Sequence, residues 1–177
     1  MLGPGRVGGD VMIVHPEFRV EPWCLRATDL DVAVLAQTES VFALGNGHIG
    51  WRGNLDEGEP HGLPGSYLNG VYELRPLPYA EAGYGFPESG QTVVNVTNGK
   101  LIRLLVNDEP FDITYGQLRA HERCLDFRAG VLHRSAEWVS PAGSAVRVSS
   151  TRNSGWTIMT SLPTRPGPSM QSIALLS

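Results

Sequence analysis

The sequence predicts an all-β protein, built as an antiparallel β-sandwich, on three observations. Its 177 residues include 21 Gly and 13 Pro, so turns are frequent and long helices scarce. From Gln91 onward, apolar runs recur at roughly 8–12-residue intervals with turn formers between them. One of those turns is Asn98-Gly99, the dipeptide that a two-residue type I′ hairpin wants.

Apolar residues make up 41% of the chain, enough for one domain with a core, and charged residues only 18%. The net charge of −4 gives no basis for nucleic acid or an anionic membrane as partner. Arg supplies the cations, Lys100 being the single lysine. Cys24 and Cys124 are far apart and fit no metal spacing; a disulfide is geometrically admissible, but reduced thiols are expected. No segment approaches the ~20 apolar residues of a membrane span. Residues 1–12 lack the apolar core of a signal peptide and read as a loose leader of a cytoplasmic protein.

The sandwich is expected over residues 13–152. Val11–Val14 and Phe18–Val20 are short apolar runs divided by Pro16, and Pro22 interrupts again. Asp29–Leu35 reads as one helical turn or an edge strand. Glu39–Gly53 begins as an apolar strand, breaks at Gly45-Asn46-Gly47, and resumes with Ile49 and Trp51 at strand spacing, a structural hairpin. Asn54–Gly65 is nearly all turn formers and is expected to be a loop. Ser66–Leu74 reads as a strand interrupted at Gly70, and Pro76–Gly90 as a loop carrying Tyr79, Tyr84 and Phe86. Val93–Val96 and Leu101–Val106 flank Asn98-Gly99 as a hairpin, and Asn107-Asp108 turns into Glu109–Ile113. Leu118–Phe127 and Val131–Val139 pair around Arg128-Ala-Gly130, and Ser140-Pro-Ala-Gly143 turns into Ala145–Thr151.

Residues 153–177 change character. They hold one charged residue, Arg165, with five serines, three threonines and three prolines, and no clean period of 2 or 3.6. Such a tail lacks the pattern to join a sheet and is expected to be disordered, as the product of a frameshift or a premature end would be.

Candidate chemistry is sparse. Gly45-Asn-Gly-His-Ile-Gly50 matches G-x-G-x-x-G, but a dinucleotide site needs a helix immediately afterwards, and Trp51-Arg-Gly-Asn54 leads into a Gly/Pro loop. Asp56, Glu57 and Glu59 sit in one loop, yet a glycosidase needs two carboxylates flanking its scissile bond. No second acid can be set opposite them, so a solvated acidic turn is expected. His15, His48, His61, His121 and His133 never fall at metal-ligand spacing, and His121 and His133 are expected to be strand-face residues. Trp23, Trp51 and Trp138, with Tyr67, Tyr72, Tyr79 and Tyr84, suit sugar stacking but more often serve a core. Ser149-Ser150 has no base nearby in sequence. Asn95-Val-Thr97 matches a glycosylation acceptor, which matters only in a secreted protein. From residues alone the chain is a soluble β-sandwich, with sugar binding as its one suggested activity.

Several stretches in order carry a resemblance: Glu39-Ser40 with Phe42-Ala-Leu-Gly-Asn-Gly-His-Ile-Gly-Trp-Arg-Gly53, then Gly65-Ser-Tyr-Leu-Asn-Gly-Val-Tyr72 and Val106-Asn-Asp-Glu-Pro-Phe-Asp112. Leu125–Arg134, Trp138 and Arg152 complete the set. Over residues 17–152 the chain resembles the N-terminal domain of glycoside hydrolase family 65, which holds maltose, trehalose and kojibiose phosphorylases and related α-glucoside hydrolases. That resemblance implies a parent with an N-terminal sandwich, a linker, an (α/α)6 barrel and a small C-terminal sheet. Cleavage with inversion would use a barrel glutamate as acid and phosphate or water as nucleophile.

The chain would then be a non-catalytic fragment, with no catalytic residue and no metal ligand of its own. No cofactor is implied beyond inorganic phosphate as co-substrate of a parent phosphorylase. The implied partners are an α-linked glucose disaccharide for the parent, the missing barrel, and a second copy in a homodimer. A stand-alone carbohydrate-binding module and an accessory domain packing on a partner barrel are the alternatives. Asn46, His48 and Arg52, on the polar turn of the first signature, are the residues expected to face the barrel or a sugar.

Overall fold

The computed structural model describes residues 16–57, 62–79, 83–155, 157–163 and 173–176. The expected leader, 1–12, and His15, Glu59 and His61 lie outside them. Among the described residues the fold is β-strands with a single α-helix: β1 Arg19–Glu21, β2 Cys24–Ala27, α1 Leu35–Val41, β3 Leu44–Gly45, β4 Ile49–Trp51, β5 Ser66–Pro76, β6 Ser89–Asn95, β7 Arg103–Val106, β8 Glu109–Pro110, β9 Gln117–Asp126, β10 Val131–Val139, β11 Ala145–Arg152, β12 Thr157–Pro163 and β13 Ile173–Leu176. They form three antiparallel sheets, ordered β1-β2-β9-β10-β11-β12, β13-β7-β8 and β3-β4-β5-β6.

The hairpins β9–β10 and β10–β11 are those predicted, because their sequences alternate cleanly. Along β10, Leu132, Arg134, Ala136 and Trp138 are buried and their neighbours are not. Register stacks the inner face of this sheet into rows. Leu25, Leu125, Leu132 and Arg152 form one; Ala27, Arg123, Arg134 and Ser150 the next; His121, Ala136 and Val148 a third. The apolar rows pack in two clusters. Trp138, Val146, Val148 and Ala136 meet Leu104 and Val106 of β7 and Phe111, which closes the sandwich between the six- and three-stranded sheets. Leu25, Ala27, Leu125 and Leu132 enclose Phe42 at the end of α1. The polar row lies between.

Four expectations need correction. Glu39–Val41 belongs to α1, not to a strand. Leu35, Thr38, Glu39 and Phe42 are all buried, and their i, i+3, i+4, i+7 spacing is a helical stripe. The helical alternative for Asp29–Leu35 holds: a 3-10 turn over Val32–Val34, capped by the Asp31 carboxylate on Ala33 N–H (2.8 Å), runs into α1.

Second, Asn98-Gly99 does not close a hairpin. β6 pairs with β5 and β7 with β8 and β13, so residues 96–102 cross between sheets. The two-residue type I′ turn lies instead at Asn107-Asp108, with φ of 50° and 65°.

Third, the segment after residue 152 contributes strands. β12 pairs with β11 from Arg152↔Thr157 to Val146↔Pro163, and β13 pairs with β7. The open edges of β11 and β7 accept backbone hydrogen bonds whatever the side-chain period. Fourth, the tyrosines of residues 72–84 are not core: Tyr72, Tyr79 and Tyr84 are exposed, as is Trp23, whereas Trp138 is fully buried. The predicted interruption of β5 is present. Gly70 has φ +87°, a conformation open to Gly at little cost, and the β5–β6 register shifts between Tyr67 and Tyr72.

Candidate functional site

The signature hairpin is β3–β4, with Leu44↔Trp51 and Gly45↔Gly50 in register. Its turn is organised by Asn46, whose Oδ1 accepts from the N–H groups of His48 (2.9 Å) and Ile49 (2.8 Å). The Asn46 Oδ1 is thereby committed to the backbone. His48 is exposed at the tip. Among the described residues no helix follows the hairpin, and a dinucleotide loop would need one.

Arg52 turns inward. Its Nη2 donates to Ala36 O (2.6 Å) of α1 and lies 3.8 Å from Glu39 Oε2. Gly53 follows because α1 and this strand touch: a Cβ there would stand 2.5 Å from Phe42 Cβ and 2.6 Å from Phe42 O. Gly53 N–H donates to Glu39 O, and Glu39 Oε2 accepts from Leu63 N–H at 2.7 Å. Lys100 anchors the crossing segment beside them, with Nζ donating to Gly65 O at 3.1 Å; burial pulls its ammonium down to about 8. Of the three expected residues, Arg52 is held by α1, Asn46 organises the turn through its Oδ1, and both Asn46 and His48 are exposed.

Sequence reasoning missed the polar row of the central sheet. Asp56 and Glu57 are buried, not the solvated turn expected. Arg134 clasps Glu57 through both Nη atoms (2.5 and 2.6 Å) and lies 3.7 Å from Asp56. Arg152 Nη2 is in ion-pair contact with Asp56, which also accepts from Ser150 Oγ at 2.6 Å. Arg152 Nη1 reaches Asn54 O (3.2 Å), and Arg123 reaches Gly53 O (3.5 Å) and Thr38 Oγ1 (3.0 Å). Three arginines on adjacent strands thus hold Gly53–Glu57 against the sheet, the guanidinium fork matching carboxylate and carbonyl alike. Burial lowers Arg123 and Arg152 to about 10, so both remain charged at neutral pH. His121, buried beside them, accepts from Arg134 Nε (3.2 Å). Burial, then Arg134 and Arg123, push it down to about 2, so it is neutral.

This cluster locks carboxylates rather than offering them. Among the described residues no three metal-ligating side chains converge, and no helix is long and apolar enough to cross a membrane. Cys24 and Cys124 are free thiols, neighbours on the outer face of β2–β9, and burial followed by the Cys124 contact raises Cys24 to about 12. The open concavity nearest the signature, about 300 Å³, lies between the hairpin tip and β5. It is lined by His48, Ile49, Tyr67, Asn69, Tyr72 and Val93. Tyr72 donates to Asn69 Oδ1 (2.9 Å), and Asn69 N–H to His48 O (2.8 Å), which fixes its floor.

Comparison with known proteins places this geometry. Residues 25–154 match the family described as glycosyl hydrolase family 65, N-terminal domain. An uncharacterized glycosyl hydrolase of Mycobacterium tuberculosis is 69% identical over 141 residues, 80% of this chain and 18% of that protein. The α,α-trehalose phosphorylase of Thermoanaerobacter brockii is 37% identical over 137 residues, 75% of this chain and 18% of its own length. Among solved structures, a putative kojibiose phosphorylase from the human microbiome superposes with TM-score 0.67 at 26% identity, over 80% of this chain and 19% of that one. The chain therefore spans under a fifth of the length of these relatives. With its β-sandwich and its match over residues 25–154, the chain belongs to glycosyl hydrolase family 65, as an N-terminal-domain sequence.

Proposed function

We propose that this chain is the non-catalytic leading part of a cytoplasmic α-glucoside phosphorylase or hydrolase, inactive without the remainder of such an enzyme. The observation that carries this is the fate of its acids. The only two carboxylates of the expected acidic loop that are described, Asp56 and Glu57, are buried and spent on Arg152 and Arg134. Neither faces a cleft in which a glycosidic bond would meet an acid and a nucleophile. The relatives named above include trehalose and kojibiose phosphorylases, which supports an α-linked glucose disaccharide and inorganic phosphate as the parent's substrates. Assay of the purified chain for phosphate-dependent glucose 1-phosphate release from trehalose, maltose and kojibiose is expected to give none. Measurable turnover would overturn the proposal.

The concavity beside His48 favours a second reading, a sugar-binding module. Tyr67 and Tyr72 offer ring faces and Asn69 an amide held in place, the mixture that suits a sugar's apolar faces and hydroxyls. Calorimetric titration with trehalose or maltose decides: saturable heat lost in Tyr72→Ala supports it, and no heat rejects it.

A further inference from the structure

Cys24 and Cys124, far apart in the chain, meet on the outer face of the six-stranded sheet. The register of β2 on β9 sets Cys24 against Asp126 and Arg26 against Cys124, so both thiols share one face, two residues out of direct opposition. Each lies within hydrogen-bond reach of the other, and both are half-buried rather than sealed in the core. Arg26 clasps the same strands: it donates to Glu21 of β1 at 3.1 Å, contacts Glu122 of β9, and lies 3.9 Å from Cys24 Sγ. On its other side Cys124 stands directly opposite His133 of β10. A concavity of about 260 Å³ opens there, lined by Cys124, His133, Ser135, Ser149 and Thr151 among others.

Diagonal neighbours on paired strands stand at the outer limit of what a disulfide can span without backbone movement. β2 can supply that movement, because it is four residues long and only the three-residue β1 lies beyond it at the edge of the sheet. A bond made in this way carries strain, and strained disulfides are the readily reduced ones. The two thiols are also unequal in their surroundings. Burial, then the Cys124 contact, holds the Cys24 thiol up at about 12, which makes it a poor first nucleophile. Cys124 lines the open concavity, between Arg26 and His133, where a small oxidant can reach it.

We infer that Cys24 and Cys124 are a reversible dithiol–disulfide pair, a modification site at which a low-molecular-weight disulfide fastens β2 to β9. Cys124 loses its proton to solvent and attacks one sulfur of that disulfide; the S–S bond of the oxidant breaks and its first thiol leaves. Cys24 then loses its proton and attacks the Cys124 sulfur, the mixed disulfide breaks, and the second thiol leaves. Two cysteine thiols are oxidised to one S–S bond, and the two electrons and two protons they give up reduce the oxidant to two thiols. The bridge acts beyond the two strands, because Leu25 and Ala27 of β2 help enclose Phe42 at the end of α1. Turnover by the isolated chain, which would overturn the proposed function, leaves this pair untouched.

Equilibration of the reduced chain with oxidised glutathione, followed by mass spectrometry, tests it. The mass is expected to fall by two hydrogens, and digestion to give one peptide pair joined through Cys24 and Cys124. The oxidised chain should melt about 5 °C higher, the loop-closure gain being partly offset by strain, and dithiothreitol should reverse the rise. Cys24→Ser should stop at one glutathione adduct on Cys124 and melt as the reduced chain does, whereas Cys124→Ser should react roughly tenfold more slowly. In concentrated urea the bridged product should drop roughly tenfold in favour of two adducts, because the fold no longer holds the thiols together. Two separate adducts on the folded chain, a bridge to a second copy, or a chain that stays reduced in excess oxidant would each overturn the inference. So would an equal yield of bridge in urea, which would take the sheet register out of the reaction.

Discussion

Replacing Glu57 by Gln probes the arginine row at a buried, two-pronged contact. The Glu57 side chain is 2% exposed and that of Arg134 6%, and two short hydrogen bonds join them. Glutamine keeps the shape but removes the charge, and it presents an NH2 to one of the two guanidinium donors. Removing one partner of a buried ion pair costs about 3–5 kcal/mol, because the other charge is left desolvated. Asp56 at 3.7 Å softens this as a second counter-charge, but Arg152 already shares it. A loss of about 3 kcal/mol follows, a large part of the roughly 5–15 kcal/mol that holds a domain folded.

The assay is urea unfolding followed by tryptophan fluorescence, to which the buried Trp138 reports. With a slope of about 2 kcal/mol per molar for a chain of this size, the midpoint should fall by about 1.5 M. A shift below about 0.3 M would refute the claim that Arg134 depends on Glu57. The double variant Glu57→Leu with Arg134→Met supplies the control. With no charge left uncompensated it should recover most of the loss, and if it is as unstable as the single variant, the cost lies in packing.

Three further outcomes follow from the same geometry. Gly53→Ala sets a methyl 2.5 Å from Phe42 Cβ and should cost about 2–4 kcal/mol, read as a fall in melting temperature; a change under 2 °C would mean that α1 shifts freely. Asn46→Ala removes the acceptor for two turn N–H groups and should cost about 1 kcal/mol, with faster amide exchange confined to His48 and Ile49; exchange unchanged there would remove Asn46 as the organiser of the turn. His121 has a folded pKa near 2 against about 6.5 when unfolded, so below pH 6.5 the unfolded chain binds a proton that the folded chain refuses. Stability is then fully present above pH 6.5 and lost as pH falls, by about 1–2 kcal/mol between pH 6.5 and 5. His121→Gln should flatten that segment of the curve, and an unchanged slope would show that another group governs it.

Legibility in the sequence tracks how local the deciding physics is. β9, β10 and β11 were plain because alternation and the turns at Arg128–Gly130 and Ser140–Gly143 act over a few residues. The break at Gly70 was equally visible. Asn98-Gly99 misled because a favourable turn dipeptide makes no hairpin when its flanks have better partners elsewhere, here β5 for β6 and β13 for β7. Glu39 was misplaced because a buried carboxylate does not register in an apolar period, though it holds the helical stripe with Leu35, Thr38 and Phe42. The acids at 56 and 57 look solvated because Arg134 stands 77 residues beyond Glu57, and Arg152 farther still. One signal was available: Arg123, Arg134 and Arg152 occupy core-phase positions of otherwise alternating strands, and an arginine at such a position asks for a carboxylate to bury with it.

The two signature stretches divide between anchoring and exposure. Glu39–Gly53 is wired inward: Arg52 to α1, Gly53 against Phe42, and the residues just beyond it under three arginines. Its residue types are fixed by close approach and by buried charge, requirements of the fold itself. Gly65–Tyr72 begins in the same anchored region, with Gly65 O on Lys100 and Ser66 N–H on Asn95 Oδ1, and then leads out through Gly70 into an exposed ribbon. Val71, Tyr72 and Leu74 are exposed on that ribbon.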